Sequence, residues 1–346
     1  MSIFLIPFSL IYTALSWLLK KTKKAHTLPK TVISVGNITW GGSGKTPVVA
    51  WIAKDILERG MLPAILSRGY GRKSNASKVF LVNTEDTSSS VNLCGDEPFM
   101  LASQVPGAVI ISSPNRRRGA DYALKNYPVD AFILDDGFQH WALKRNVDIV
   151  CVNALNPFGN GFLIPAGILR EGLKAFKRAS FVIINNCDKV EPEEIARIQS
   201  RIAKYANCSI ALCKYVVSDI KRVVDGTVYP VGKFFGRQAI ALCAIAENRS
   251  FIDTLHGIEM SVAKRFAFRD HHWYKVRELV DILTTSVDRI PVVTTSKDAV
   301  RLRDALARLD PKSAERFYEV RIKLEFIQGE ELWLEMLRSI KALPSF

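Results

Sequence analysis

Residues 40–51, WGGSGKTPVVAW, combine three glycines with an adjacent lysine and threonine, a set of residue types that suits phosphate binding. Glycines let backbone N–H groups approach phosphate oxygens without obstruction, and the start of a helix places its positive dipole end beside them. Lys45 supplies charge to the terminal phosphates, and Thr46 supplies a hydroxyl that can ligate Mg²⁺. A glycine usually opens this pattern, and Thr39 stands at that position here. The stretch predicts a nucleoside triphosphate site of the kind that switches, motors, carriers and kinases share.

Carboxylates at two further places could handle a metal ion or a proton. In FILDDG, a predicted strand delivers Asp135 and Asp136 to its carboxyl end, where a ligand of nucleotide-bound Mg²⁺ must lie. In CGDEPFML, Asp96 and Glu97 begin a short predicted helix, where an acidic pair is also typical of a helix cap. The position of FILDDG after the glycine-rich stretch favours a metal role, whereas CGDEPFML alone leaves both roles open.

Arginines and histidines form a third group of candidates. Arg68 and Arg72 in SRGYGRK, and the three arginines of NRRRGAD, follow predicted strands, so we expect them at the sheet edge that carries the glycine-rich stretch. Guanidinium groups suit phosphate, and three arginines at a helix N-terminus oppose the helix dipole, which favours a ligand there. Of the five histidines, His271 and His272 adjoin in FRDHHWY, and His140 lies in GFQHW. Acid–base roles and ordinary polar roles are both compatible with these positions.

Two other patterns are assigned ordinary structural roles. NNCD, at residues 185–188, faintly resembles a guanine-reading N-K-x-D motif, but it lacks the lysine, and its polar residues are explained as turn formers. The six cysteines contain no C-x-x-C pair, and several lie in apolar runs. This usage indicates reduced, buried thiols without a zinc site or a structural disulfide.

The composition indicates a globular chain of two lobes with an excess of positive charge. Its 346 residues correspond to about two domains, and 48% hydrophobic residues are ample for burying cores. Lysine and arginine total 48 against 34 acidic residues, which gives a formal net charge of +14. This excess favours an anionic partner: nucleic acid, an acidic membrane face or a phosphorylated substrate.

An apolar segment with a basic flank begins the chain. Residues 3–19 are apolar apart from four polar positions at helical spacing, and four lysines follow between residues 20 and 24. As a helix this segment reaches about 26 Å, slightly less than the roughly 30 Å hydrocarbon core of a membrane. Positive charge after the apolar run argues against a cleaved secretory signal. A helix lying in the cytoplasmic membrane interface fits best, with a spanning helix and a buried core helix as alternatives.

Short β-branched strands alternate with amphipathic helices from residue 31 onward. Strands are predicted at TVISVGN, PAILSRG, VDAFILDD, VDIVCVNA and FVIINNCD, with helices from Thr46 to about Arg59 and from about Pro192. This alternation is typical of a parallel sheet with helices on both faces. A hairpin-like VVDGTVYPV, with Asp225 and Gly226 at its turn, marks the junction with a smaller α/β lobe.

The order of these motifs resembles the tetraacyldisaccharide 4'-kinase family of lipid A biosynthesis. The motifs are SVGNITWGGSGKTP, SRGYGRK, GDEP, NRRRGA, ILDDGFQH, NPFGNGFLIPAGILREGL, FRDHHWY and TTSKDAVRL. They span nearly the whole chain, and Thr39 is no departure from the loop of that family. The resemblance implies a kinase that transfers the γ-phosphate of ATP to the 4'-hydroxyl of a lipid-linked glucosamine disaccharide 1-phosphate, tetraacyldisaccharide 1-phosphate, to give lipid IVA.

Residue roles follow from the same resemblance. Lys45, Asp96 and His271 would be catalytic, with Asp96 acting on the acceptor hydroxyl and His271 as its partner. ATP would be bound by Gly41, Gly42, Ser43, Gly44, Lys45, Thr46, Arg116 and Arg118. Mg²⁺ would be held by Thr46, Glu171, and Asp135 or Asp136. The substrate side would be lined by Asn37, Tyr70, Arg72, Gln139 and His140. Because Asp96 lies in the first lobe and His271 in the second, lobe closure is expected to join them.

The predicted fold is α/β: a P-loop NTPase-like parallel sheet with helices on both faces, a smaller α/β C-terminal lobe and an N-terminal membrane-interface helix. The expected divisions are residues 1–26 for that helix and its basic flank, 27–215 for the kinase domain, 216–325 for the smaller lobe, and 326–346 for a helix returning to the first lobe.

The expected partners are ATP with Mg²⁺, the lipid-linked disaccharide 1-phosphate, and anionic lipids at the cytoplasmic face of the bacterial inner membrane. Neither nucleic acid nor an obligatory protein partner is expected. Three competing interpretations remain: a membrane-associated P-loop ATPase or GTPase switch, an NTPase acting on nucleic acid, and a membrane-anchored scaffold that only binds nucleotide.

Overall fold

Strands and helices alternate along most of the backbone in a computed structural model of the chain. The structure describes residues 3–22, 24–69, 79–82, 91–245, 248–285 and 290–340. Two residues predicted to line the substrate side, Tyr70 and Arg72, lie outside these ranges.

The strands are mostly short and rich in β-branched residues, as is typical of strands covered on both faces. In chain order they are β1 (Thr31–Gly36), β2 (Pro63–Ser67), β3 (Phe80–Leu81), β4 (Val109–Ser112), β5 (Ala131–Asp135), β6 (Val147–Asn153), β7 (Phe181–Asn185), β8 (Ser209–Arg222), β9 (Val228–Tyr229), β10 (Gln238–Cys243), β11 (Ser261–Ala267), β12 (Val292–Thr295) and β13 (Phe317–Gln328). The five predicted strands of the first half correspond to β1, β2, β5, β6 and β7.

The helices occupy most of the connections between strands. They are α1 (Ile6–Thr22), α2 (Lys45–Glu58), α3 (Val91–Cys94), α4 (Asp96–Gln104), α5 (Arg116–Asn126), α6 (Pro192–Ala203), α7 (Asn248–Gly257), α8 (Val276–Thr284), α9 (Ser296–Leu306), α10 (Pro311–Ala314) and α11 (Glu330–Ser339). Short 3₁₀ turns occur at Ile3–Leu5, Leu173–Arg178, Cys187–Lys189 and Val231–Phe234.

The described strands join in one sheet made of two parallel halves. Its order is β11-β10-β12-β13-β8-β7-β6-β1-β5-β2-β4-β3, with β9 paired to β8. From β8 to β4 the neighbours are parallel, and so are β11, β10, β12 and β13. The halves meet at β8 and β13, which are antiparallel to each other.

The two long strands bring the carboxyl edges of the halves face to face. Residues 209–212 of β8 pair with β7, whereas residues 216–222 pair with the first half of β13. Because β8 continues past the first half and β13 returns antiparallel to it, β10 and β12 point their carboxyl ends back toward those of β1 and β5. Ligands of parallel sheets bind at such carboxyl edges, so one space receives chemistry from both halves. The predicted domain division between residues 215 and 216 falls inside β8 and stays a prediction.

Successive side chains of the central strands point into two apolar layers, one on each face of the sheet. In β1, Val32 packs in the layer that contains Ala120 of α5, whereas Ile33 packs in the layer that contains Val48 and Ile52 of α2. Side chains of a strand point to opposite faces in turn, so helices cover both faces. This arrangement confirms the predicted α/β fold class. All six cysteines are free thiols and five of them are buried, as the sequence predicted.

The last helix, α11, packs on the first half. Trp333 is fully buried, with its ring centroid 5.5 Å from that of Trp51 in α2 and 5.2 Å from that of Phe181 in β7. Arg59, just after α2, donates from Nη1 to the carbonyl of Leu337 at 3.1 Å. The end of the described chain therefore stabilises the helix that follows the glycine-rich loop.

The first helix, α1, is attached through one polar residue and exposes an apolar face. Ser9 Oγ donates to the Leu163 carbonyl at 2.8 Å and accepts from the Ala166 N–H at 3.2 Å. Phe8, Ile11, Leu15 and Leu18 are spaced along one side of the helix, Phe4 lies in the 3₁₀ turn before it, and each of these five apolar side chains is more than half exposed. Among the described residues, no helix has both the length and the apolarity needed to cross a membrane.

Candidate active site

The glycine-rich stretch forms the loop between β1 and α2, at the carboxyl edge of the first half. Gly41 and Gly44 have φ values of 110° and 68°, a left-handed region that glycine adopts at little cost. Because α2 begins at Lys45, its unpaired N–H groups and positive dipole end lie directly at this loop. The loop therefore has the backbone geometry of an anion site.

Polar side chains of the neighbouring strands support this loop from behind. Asn185, at the end of β7, donates from Nδ2 to the Ser43 carbonyl at 2.6 Å. The Tyr215 hydroxyl in β8 lies 3.1 Å from both the Gly44 carbonyl and Asn185 Oδ1. A Cβ on Gly44 would collide with that hydroxyl, so this approach requires glycine. The sequence explained Asn185 only as a turn former; its place at the end of a buried strand was the available signal for this further role.

Lys45 faces an ionised carboxylate at the end of β5. Its Nζ lies 3.3 Å from Asp136 Oδ1 and 3.4 Å from Asn37 Oδ1. Arg170 donates from Nη1 to both Asp136 oxygens, at 3.1 and 2.9 Å. Burial opposes ionisation of Asp136, but the charges of Lys45 and Arg170 hold its pKa at about 2. Asp136 is thus shared by two cations, one of which, Lys45, lies at the glycine-rich loop. Sequence reasoning assigned Arg170 no role, although it lies in the quoted ILREGL segment.

Asp135 lies deeper and has the opposite electrostatic environment. It is 3% exposed and accepts a hydrogen bond from Ser67 Oγ at 3.0 Å. Burial, together with the negative charges of Glu97 and Asp136, raises the pKa of Asp135 to about 6. The charges of Lys45 and Arg116 only partly offset these effects, and a bound divalent cation would favour the ionised form of Asp135.

The arginine cluster divides into a buried and an exposed part. Arg116 is buried, donates from Nη2 to the Asp135 carbonyl, and has Nη1 3.4 Å from His140 Nδ1. Burial lowers the pKa of the Arg116 guanidinium. Arg118 is exposed, and its backbone N–H donates to Asn115 Oδ1, which caps α5. Arg116 therefore supports the end of β5, whereas the guanidinium of Arg118 faces solvent.

Gln139 and Glu171 form a polar cluster beside the loop. Gln139 donates from Nε2 to the Asn37 carbonyl at 2.9 Å and to Glu171 Oε1 at 3.0 Å. Arg178 donates from Nη2 to the same Glu171 oxygen at 2.9 Å, and its guanidinium lies 4.3 Å from the ring centroid of Phe138. The structure thus brings the predicted Asn37, Gln139 and Glu171 together, and Glu171 already has a cationic partner.

Asp96, at the start of α4, faces the second half of the molecule. Its Oδ1 accepts the Glu97 N–H at 2.9 Å, as an acidic residue in a first helical turn does. Its Oδ2 lies 3.1 Å from His271 Nδ1 and accepts from Arg301 Nε at 3.0 Å and from Arg301 Nη2. Burial opposes ionisation, but the His271 hydrogen bond and the Arg301 charge hold the pKa of Asp96 well below its usual range. Asp96 thus lies in the first turn of α4, where negative charge suits the helix dipole, and its second oxygen contacts His271 and Arg301.

His271 reaches Asp96 from the loop between β11 and α8. Its φ of 62° is uncommon for a residue with a side chain, and Asp270 Oδ1 accepts its backbone N–H at 3.0 Å. The hydrogen bond to Asp96 raises the pKa of His271, although burial opposes this. The neighbouring His272 instead places Nε2 3.0 Å from Glu278 Oε2. Of the two adjacent histidines, His271 is the one that contacts Asp96.

A second ion pair joins the halves beside this contact. Lys297 Nζ in α9 donates to Glu97 Oε1 in α4 at 2.7 Å. Sequence reasoning assigned no role to Lys297 or Arg301, although both lie in the quoted TTSKDAVRL. For Arg301 a signal was available: it shares a helical stripe with the buried Ala305, where a charge requires a partner.

Comparisons with known proteins agree on one family. A family model described as tetraacyldisaccharide-1-P 4'-kinase matches residues 1–341. A tetraacyldisaccharide 4'-kinase from Pelobacter propionicus is 33% identical over 328 residues, which cover 92% of this chain and 87% of that protein. Another from Syntrophobacter fumaroxidans is 36% identical over 291 residues, covering 83% and 75%. The crystal structure of LpxK from Aquifex aeolicus, an "apo" form in complex with ATP, matches with a TM-score of 0.78 at 28% identity and covers 97% of this chain and 98% of that chain.

Proposed function

The chain belongs to the tetraacyldisaccharide-1-phosphate 4'-kinase family, and from that premise we propose how its side chains carry out the reaction. The reaction is the transfer of the γ-phosphate of ATP to the 4'-hydroxyl of a tetraacyldisaccharide 1-phosphate, a step of lipid A biosynthesis. A sugar hydroxyl must lose its proton as its oxygen attacks phosphorus, and charge must be stabilised on the transferred group. The site therefore needs cations on one side and a base on the other.

The loop of residues 41–44 and the start of α2 are proposed to bind the ATP phosphates. Backbone N–H groups and the helix dipole supply a preformed anion site. The Lys45 ammonium group, which contacts Asp136 in the structure, would contact the terminal phosphates when ATP binds. Arg170 remains on Asp136 and keeps that carboxylate ionised and in place. Arg118, exposed at the start of α5, is a candidate to bind phosphate, whereas Arg116 donates to the Asp135 carbonyl.

Mg²⁺ is proposed to arrive with ATP and to be held by Thr46 and Asp135. Magnesium sites commonly combine one or two carboxylates with substrate phosphates, and among the described residues no three acidic, histidine or cysteine groups form a metal site of their own. Burial and the charges of Glu97 and Asp136 raise the pKa of Asp135 despite the nearby charges of Lys45 and Arg116, whereas Asp136 and Glu171 each already form an ion pair. We therefore favour Asp135 as the direct ligand. Bound Mg²⁺ would neutralise charge that develops on the transferred phosphoryl group.

The Asp96–His271 pair is proposed to take the proton of the acceptor hydroxyl. A carboxylate only accepts hydrogen bonds, so His271 Nδ1–H donates to Asp96, and the proton of the acceptor hydroxyl would be taken at Nε2, which lies 3.8 Å from Asp270 Oδ2. Both Asp96 oxygens already accept hydrogen bonds, which favours the imidazole as the proton acceptor and Asp96 as the group that stabilises the imidazolium. The meeting of these two side chains at 3.1 Å, from opposite halves and at the edge that carries the phosphate loop, is the observation on which the proposal rests.

We further propose peripheral attachment to the bacterial inner membrane through α1. The acyl chains of the acceptor keep it at a bilayer, and the exposed apolar face of α1 is followed by lysines that suit anionic headgroups. Ser9 ties α1 to the segment around Leu163. That segment also reaches the phosphate loop, because the Trp40 N–H donates to the Ile168 carbonyl at 2.6 Å. Attachment through α1 would thus place the loop close to the membrane surface.

Transfer of label from γ-labelled ATP to lipid tests this assignment. In detergent micelles with Mg²⁺ and tetraacyldisaccharide 1-phosphate, we expect label in a bisphosphorylated lipid. Asp96→Asn should reduce kcat by roughly 10²–10⁴-fold, the usual contribution of acid–base catalysis, and leave the KM for ATP near its original value. Asp121→Asn, on the exposed side of α5, is the matched control and should keep full activity.

Two results would contradict the proposal in different ways. Label released as free phosphate, with none in lipid, would favour an ATPase or a switch over the kinase. Lipid labelling that persists in Asp96→Asn at the original rate would remove the Asp96–His271 pair as the base while leaving the kinase reaction intact.

A further inference from the structure

Arg301 is a buried cation directly behind the Asp96–His271 pair. It lies in α9, is 1% exposed, and directs both Nε and Nη2 to Asp96 Oδ2. Its Nη1 donates to the Ala244 carbonyl at 3.1 Å. A guanidinium with this little exposure requires several acceptors, and Arg301 finds them on both halves of the molecule.

The second-half side of Arg301 is rigidly held. Its Nη1 also lies 3.4 Å from Asp298 Oδ1, and Asp298 is completely buried. Asp298 accepts hydrogen bonds from the Ala244 N–H at 3.1 Å, from Thr295 Oγ1 at 2.7 Å and from the Tyr274 hydroxyl at 3.1 Å. These contacts fix the orientation of the guanidinium within the second half, so Asp96 meets a preformed two-pronged donor there.

The same geometry determines which nitrogen of His271 carries a proton. His271 Nδ1 lies 3.1 Å from Asp96 Oδ2 and 3.2 Å from Arg301 Nη2. A carboxylate only accepts, so its contact with Nδ1 requires a proton on that nitrogen; a guanidinium only donates, so Arg301 Nη2 lies beside Nδ1 as a second donor to the same oxygen. In this arrangement Nδ1–H and Nη2–H both point to Asp96 Oδ2. Arg301 therefore acts on His271 through Asp96, because it keeps that oxygen ionised and fixed where Nδ1–H can donate to it.

We propose that Arg301 is a positioning residue for phosphoryl transfer, which clamps Asp96 against His271 and so orients the imidazole that takes the proton of the acceptor hydroxyl. This inference rests on the proposed role of the Asp96–His271 pair as the base. Arg301 does not touch the substrate; it acts through the two residues that do the proton transfer. When His271 takes the proton, the positive charge of Arg301 repels the imidazolium. Asp96 contacts both cations, and its negative charge offsets that repulsion.

The charged groups around His271 give the direction of the pH effect. They are Asp96 from α4, Asp270 from its own loop, with Oδ2 at 3.8 Å from Nε2, and Arg301 from α9, with Lys297 beside Asp96. Asp96 raises the pKa of His271, and Arg301 opposes that rise. Removal of the Arg301 charge should raise this pKa further. Because the reaction needs neutral His271, the acidic limb of the kcat–pH profile should move to higher pH.

The experiment compares Arg301→Met and Arg301→Lys with a control on the same helix. Arg301→Met should reduce kcat by about 10²-fold, the cost of a misplaced catalytic group, and shift the acidic limb of the kcat–pH profile upward. Arg301→Lys keeps the charge but loses the fork, so we expect partial recovery of kcat and an unshifted limb. The control, Arg303→Met, removes a charge that lies over the Phe99 ring, 5.3 Å from its centroid, and should leave both quantities unchanged.

A double-variant cycle separates positioning from stability. If Arg301 acts through the pair, Arg301→Met should cost little in a His271→Ala background, because the group that it positions is gone. Equal losses in both backgrounds, or no shift of the pH profile, would overturn the inference. If Asp96→Asn is itself fully active, the proposed base fails. If Asp96→Asn is inactive while Arg301→Met is fully active, the inference about Arg301 alone fails.

Discussion

The proposed nucleotide side and the proposed acceptor side of this site are built in different ways. On the nucleotide side, the phosphate loop, the start of α2 and the end of β5 belong to one parallel half-sheet and are supported by Asn185 and Tyr215. On the acceptor side, Asp96 meets His271 and Arg301, which lie 175 and 205 positions away in the chain. The first arrangement is preset within one core, whereas the second exists only while the two halves face each other.

This difference predicts which kinetic quantity each kind of change will affect. A change on the nucleotide side should act on ATP binding or on the charge of the transferred phosphoryl group. A change on the acceptor side should act mainly on proton transfer and leave ATP binding intact, because Asp96 contacts His271 and Arg301 of the second half. Variants of the two sides therefore test whether the division is real.

The largest effect is expected from Lys45→Met, which removes the charge at the phosphate loop and nearly preserves side-chain length. We expect kcat to fall by roughly 10³-fold, since preorganised charges on a transferred group contribute on this scale. The measurement is label transfer to lipid at saturating ATP. Lys54→Met, at an exposed position of the same helix, controls for loss of a lysine as such.

A purely binding role for Lys45 would give a different pattern. The KM for ATP would then rise while kcat stayed unchanged, because the contact would stabilise bound ATP and the transition state equally. That result would mean that other cations stabilise the charge on the transferred phosphoryl group. Arg118 and Arg170 would then be the next residues to replace.

An intermediate effect is expected from the outer face of α1. Phe8→Ser combined with Leu15→Ser removes two exposed apolar side chains, so membrane binding weakens with the buried apolar area. With acceptor presented in anionic lipid vesicles, the KM for lipid should rise about tenfold and the KM for ATP should not change. Val228→Ser, at an exposed position of β9, is the matched control. Equal rises in both KM values would contradict membrane docking by α1. They would also mean that the nucleotide side and the acceptor side do not act independently.

The sequence predicted the nucleotide side more completely than the acceptor side, for a physical reason. The loop at Gly41–Lys45 and the carboxylates at the end of β5 follow from short-range spacing, because strand, turn and helix are local events. Asp96 alone was ambiguous, and its pairing with His271 came from the family resemblance. Arg301 went unassigned because its partner depends on β13 returning antiparallel to β8, a long-range event that no local pattern records.

The smallest effect is expected from Tyr215→Phe, which tests whether the nucleotide side is as preset as its contacts indicate. The change removes a hydroxyl that lies 3.1 Å from the Gly44 carbonyl and from Asn185 Oδ1, and it keeps the ring that fills the space behind the loop. A lost hydrogen bond of this kind costs about 0.5–1.5 kcal/mol, which corresponds to a roughly twofold to tenfold rise in the KM for ATP. Tyr205→Phe, on a half-buried tyrosine after α6, is the control. A change in the KM for lipid instead would mean that the loop and the acceptor side are coupled through β8, because Tyr215 lies where that strand leaves the first half.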